Sequence, residues 1–125
     1  MVELAGLMEE VVWSLPVPSQ EFQQGPHILI SAGKVTLGWD FESESGDYEW
    51  SSAEFTGVEA AKFTAHSSCT PDQVRAYDRL VKVEPSDMLA SLRGAGPKFL
   101  QHLRIYFDEV GCLDVVAEGF RPPAG

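Results

Sequence analysis

The chain has 125 residues, 44% hydrophobic and 22% charged, which is one domain's worth of polymer with enough apolar material for a real core. Nineteen acids face nine bases for a formal charge of −10, which argues against a phosphate-neutralising nucleic-acid binder and against adsorption to anionic membranes. No apolar run approaches the roughly 18 residues of a membrane-spanning helix, and the acid-bearing start at Glu3, Glu9 and Glu10 is unlike an export signal.

Taken in chain order, Leu4, Leu7, Met8 and Val11 fall at helical spacing, weakened by Gly6, while Val11 to Leu15 reads equally as a strand ended by Pro16 and Pro18. A loop is expected from Pro16 to Pro26, then a strand at His27–Ser31 and a turn at Gly33. Val35, Leu37, Trp39 and Phe41 alternate with polar or small residues as a half-buried strand does. Ser45-Gly46 supplies turn chemistry, the chain returns through Tyr48–Ser52, and a further strand is expected between Gly57 and Ala65.

Thr70-Pro71-Asp72-Gln73 carries an N-cap, a proline at the first helical position and a residue to close a capping box. A helix is predicted over about 71–82, with Val74, Tyr77, Leu80 and Val81 on its apolar face. Ser86 caps a second, over about 87–93, which Gly94 would stop. A last hairpin runs from Phe99 to Phe120. The expected fold is α+β: residues 1–125 as a single globular domain, an antiparallel sheet of about five or six strands with the two short helices packed on one side.

Charge is divided unevenly. Residues 1–60 hold eleven acids and the single base Lys34, whereas residues 61–125 hold eight of each sign. If the hairpin near residue 45 closes on Ser45-Gly46, Phe41 faces Trp50 on the core side, and Glu44 opposes Asp47 while Glu42 opposes Glu49 on the other. Like charges directly opposite destabilise a strand pair, so folding alone does not explain Asp40, Glu42, Glu44, Asp47 and Glu49. With Tyr48 as an apolar anchor, this hairpin is expected to dock a basic protein partner, as an immunity- or antitoxin-like inhibitor of a nuclease does. A divalent-cation site fits poorly: the glycine falls one place late for a calcium loop and Ser51 stands at its last ligand position.

The last hairpin, closed on Glu109-Val110-Gly111, puts Leu103, Ile105 and Phe107 on an apolar face. The other face then sets His102 across from Glu118, Tyr106 across from Asp114, and Arg104 diagonal to Asp114. His102, Arg104, Tyr106, Asp114 and Glu118 form the alternative candidate site, a small-molecule-binding or hydrolytic patch with His102 and Glu118 as its catalytic pair. Since the apolar face must be buried, the helix at 71–82 is expected over that face, leaving His102 in water. A non-enzymatic binding protein is therefore the leading expectation, with no cofactor, no metal, no nucleic acid and no membrane.

Cys69 and Cys112 are too few for a disulfide framework and are expected reduced, in the cytoplasm. His66, Cys69, His102 and Cys112 supply zinc-type ligands, but the hairpin register separates His102 from Cys112 too widely for one metal. Cys69, before a helix N-terminus and near His66, is a candidate nucleophile with a lowered pKa.

Overall fold

Parity along the strands decides which face of the sheet becomes the core. In the computed structural model, which describes residues 10–92 and 99–123, seven strands form one antiparallel sheet. They are β1 (Glu10–Ser14), β2 (His27–Ser31), β3 (Lys34–Glu42), β4 (Tyr48–Ala65), β5 (Arg79–Lys82), β6 (Gln101–Phe107) and β7 (Gly111–Arg121), in spatial order β1-β5-β6-β7-β4-β3-β2. Two one-turn helices accompany them, α1 (Pro71–Val74) and α2 (Asp87–Ala90). The architecture is α+β-like, with more strands than the five or six expected. Among the described residues no helix is long and apolar enough to cross a membrane.

Val35, Leu37 and Trp39 of β3, Ala53 and Phe55 of β4, Leu103, Ile105 and Phe107 of β6, and Leu113, Val115 and Ala117 of β7 point to one face and are buried together. The sheet coils until that face closes on itself. Trp13 of β1, at one edge, reaches Trp39 of β3, near the other, with ring centroids 5.6 Å apart. The segment after β1 lays Leu15, Val17 and Phe22 over the same core.

Carboxylates pin that segment. Asp78 accepts from Ser19 N and Ser19 Oγ at 3.1 and 2.5 Å. Asp40 accepts from Gln24 N and Gly25 N at 2.9 Å each and from Gln23 N at 3.2 Å. Burial alone would raise the Asp40 carboxyl, but these backbone donors outweigh it and hold it below the usual carboxylate range.

β4 runs unbroken through the two strands expected around it. Gly57, at φ +61°, lies opposite Glu118, just before the bulge between Val58 and Ala60 where the pairing with β7 shifts register. A side chain there would collide with Glu118, whose carbons lie 2.7–2.8 Å from the place of a Cβ.

Both hairpin registers differ from the expectation, for different reasons. The first closes through the five residues between Glu42 and Tyr48, with Ser43 N donating to Asp47 O at 2.8 Å. Ala53 and Phe55 must face the core, so Trp50, an odd number of residues away, must face outward; it is 48% exposed where Trp39 is 0%. Asp40 pairs with Trp50, Phe41 with Glu49 and Glu42 with Tyr48, so the expected like-charge pairs do not form.

The last hairpin loops at Asp108-Glu109-Val110 and pairs Phe107 with Gly111, a slip of two that keeps the faces. Gly111 serves close approach to β4 rather than the turn: a Cβ there would lie 2.2 Å from Thr64 O.

The helix expected over 71–82 ends at Val74, and 79–82 is strand β5. The cap forms as expected. The helix stops because the free edge of β6 takes the chain: Tyr106 N donates to Ala76 O and Asp78 N to Tyr106 O, both at 2.9 Å. Asp78 then turns at φ 58° into β5, which pairs with β1 and β6. The second helix spans Asp87–Ala90, shorter than the 87–93 expected; its stop at Gly94, like the helical stripe from Leu4 to Met8, lies outside the described residues.

Candidate functional site

The second face of the sheet is not left in water. α1 and α2 both lie over it, reversing the expectation that the 71–82 segment would cover the apolar face, and His102 and Asp114 are only 4% and 2% exposed. Strand pairing delivers the polar groups. Arg104 of β6 and Lys62 of β4 stand opposite Asp114 of β7 from either side, and His102 pairs with Val116, one step diagonal to Asp114.

The helix caps complete the arrangement. In α1 the Thr70 hydroxyl accepts from Gln73 N at 3.2 Å, while Gln73 Oε1 accepts from Thr70 N at 2.9 Å. That leaves Gln73 Nε2 to donate to Thr64 Oγ1 at 3.2 Å and to Asp114 Oδ2 at 3.3 Å. In α2 the Ser86 hydroxyl accepts from Leu89 N at 2.9 Å and lies 2.6 Å from His102 Nδ1.

Asp114 gathers the network. Its Oδ1 lies 2.6 Å from His102 Nε2 and accepts from Arg104 Nε at 2.7 Å, and Cys112 Sγ donates to Oδ2 at 3.6 Å. Burial by itself would raise this carboxyl. The hydrogen bond from His102 and the charge and hydrogen bond of Arg104 more than offset it, holding Asp114 below the usual carboxylate range. An ionised Asp114 accepts only, so in the neutral imidazole the proton sits on Nε2 and Nδ1 accepts from the Ser86 hydroxyl. A hydrogen-bonded chain Ser86–His102–Asp114 results, with Arg104 fixing its buried end.

The chain opens on a cleft of about 500 Å³, walled by Lys62, Gln73, Ser86, Met88, His102 and Arg104, with Asp72 and Asp87 at the helices. Charges of both signs and short apolar surface from Val83 and Pro85 line it together. The arrangement can orient a small polar molecule, remove a proton from a hydroxyl and return it.

Of the five residues in the sequence-derived patch, His102, Arg104 and Asp114 stand together. Tyr106 shares their face but is buried against α1's exit, its hydroxyl 2.5 Å from His66 Nδ1, and burial raises its pKa. Glu118, two residues beyond the partner of His102, is exposed across Gly57, so the pairing of His102 with Glu118 does not form. Ser86 and Gln73 were legible only as helix caps. A cap hydroxyl is a local feature in sequence, and nothing there says which strand it will face.

Of the hairpin acids, Asp40 is withdrawn into the loop it anchors, while Glu42, Glu44, Asp47 and Glu49 are exposed beside half-exposed Tyr48. Cys69 packs against Cys112, its Sγ 3.4 Å from Thr64 O. Burial, with the charge of Asp114, pushes its thiol up rather than down, opposite to the helix-terminus expectation, and burial raises Cys112 further. Among the described residues no three His, Cys, Asp or Glu side chains converge as a metal site.

No protein-family model, no curated protein and no solved structure matches this chain.

Proposed function

We propose that the cleft is a small-molecule site with hydrolytic chemistry, in which Ser86 is the nucleophile, His102 the general base and acid, and Asp114 the group that orients the imidazole. The observation that carries this reading is the unbroken Ser86–His102–Asp114 chain, 2.6 Å at both links, at a cleft of substrate size. The two imidazole nitrogens exchange the places they hold in serine proteases, but the roles need only the right tautomer and reach.

In an ester, Ser86 Oγ bonds to the carbonyl carbon while its proton passes to His102 Nδ1. The carbon–oxygen bond to the alcohol breaks and the alcohol leaves with that proton. Water then attacks the acyl-serine, its proton going to Nδ1 and on to Ser86 as the acid is released. Leu89 N–H, which already donates to Ser86 Oγ, lowers the energy of the developing alkoxide. Lys62 and Arg104 offer positive charge to an anionic part of the substrate, and Asp72 and Asp87 face the opposite sign, which favours a compact polar molecule over an extended apolar one.

The test is covalent. A fluorophosphonate probe, followed by peptide mass mapping, should label Ser86, and hydrolysis of para-nitrophenyl acetate should fall at least about a hundredfold in Ser86→Ala and in His102→Gln. An unlabelled Ser86 together with unchanged turnover in Ser86→Ala would overturn the assignment.

A further inference from the structure

The opposite side of the molecule carries a second feature, independent of the cleft. β2 ends the sheet, so among the described residues one side of its backbone has no strand beside it. Edge strands are normally blunted by charge, proline or a bulge. His27-Ile28-Leu29-Ile30-Ser31 has none of these inside it, and Leu29 and Ile30 are 67% and 59% exposed.

Next to this edge, the outer face of the sheet is hollow. Gly38 of β3 has no side chain between His27 of β2 and Trp50 of β4, whose rings stand 4.5 Å apart at the centroids. The hollow, about 660 Å³, is walled by His27, Leu29, Thr36, Trp50 and Ser52. Beyond it lie half-exposed Tyr48 and the carboxylates of Glu42, Glu44, Asp47 and Glu49.

Charge selects the occupant. A second copy carries the same formal charge of −10, which opposes self-pairing. An extended basic segment meets no such opposition, and its backbone finds the free edge of β2. Strands lie about 4.8 Å apart, so the hollow above β3 is roughly 10 Å from an added backbone, within the range of long side chains only. Arginine or lysine fits, with the Trp50 ring as a cation–π surface.

We infer that β2 and the Trp50 hollow form a docking site for an extended segment of another protein, bearing arginine or lysine in alternation with apolar residues and added to the sheet alongside β2. The acidic hairpin steers such a segment rather than forming the contact centre.

The test uses a random-peptide display library panned on the full chain, beside Trp50→Ala and Leu29→Lys, both changes at exposed positions with folding checked by circular dichroism. Selected peptides should alternate basic and apolar residues, protect β2 amides from hydrogen exchange, and bind about tenfold or more weakly to either variant and at high salt. No enrichment, enrichment of acidic or uncharged peptides, or binding indifferent to both variants would overturn the inference. So would a homodimer in sedimentation velocity with β2 amides already protected, which would give the edge to a second copy.

Discussion

Replacing Asp114 by asparagine tests whether the buried network is held by charge or by shape. The carboxylate serves His102 and Arg104 through one oxygen and Gln73 and Cys112 through the other, at 2% exposure. Asparagine keeps the volume but removes the charge, leaving the Arg104 guanidinium beside a neutral amide whose own N–H₂ must face a donor. Removing one partner of a buried pair costs about 3–5 kcal/mol, and since the Arg104 side chain retains 18% exposure, the lower end, about 3 kcal/mol, applies. Arg104→Met adds a comparable loss alone. In the double variant neither charge is stranded, so the two losses should fall short of additivity by about 2 kcal/mol.

The pH dependence has a definite sign. The folded-state pKa of Asp114 lies below its ordinary 3.8, so as pH falls the unfolded chain takes up the proton first. The carboxylate's contribution is therefore whole above about pH 5 and is lost from 3.8 downward as pH passes through the folded value. Urea unfolding followed by circular dichroism at neutral pH and at about pH 3 measures both effects. The gap between wild type and Asp114→Asn should narrow in acid. A neutral-pH loss under about 1 kcal/mol, or a gap that stays constant to pH 3, would refute the account of Asp114 as the charged centre of this network.

Three further substitutions probe the supports. Asp40→Ala strands the backbone donors of Gln23, Gln24 and Gly25 and should cost about 2–4 kcal/mol in urea unfolding, with earlier hydrogen exchange across residues 16–26; unchanged exchange would contradict its role as the loop's anchor. Gly111→Ala forces a Cβ against Thr64 O and the Phe63 ring and should cost more than about 3 kcal/mol, read as a fall in thermal midpoint; a drop of only a degree or two would show that β4 and β7 can separate there cheaply. Ser86→Ala loses the α2 cap and the partner of His102 Nδ1, so it should destabilise by about 1–2 kcal/mol, whereas Ser86→Thr, which can keep both hydrogen bonds, should stay within about 0.5 kcal/mol; equal losses would mean that the hydroxyl is not what the network needs.

Local chemistry determined a good part of this molecule. The alternation in Val35–Phe41 and in Leu103–Phe107 marks strands with an apolar side, because period-two patterning has one way to bury its hydrophobic set. Thr70-Pro71-Asp72-Gln73 starts a helix for reasons contained in those four residues. His102, Arg104 and Asp114 share a face because strand parity survives a register slip of two.

Only the tertiary structure decided what those features meet. Propensity continues a helix through Tyr77 and Val81, and the unpaired edge of β6 ends it. The turn dipeptide Ser45-Gly46 favours one register, and the inward-facing Ala53 and Phe55, further along β4, impose the other, which turns Trp50 outward. Asp40 looks in sequence like one acid among five, yet it alone is recruited by a loop that reaches it from residues 23–25. Ser86 reads as a cap, and its position over His102 depends on the pairing of β5 with β6, which continues as Val83 N donating to His102 O at 2.9 Å. The coiling that closes one face of the sheet on itself leaves the other as the place for the helices, so His102 and Asp114 are buried where strand patterning alone would leave them in water.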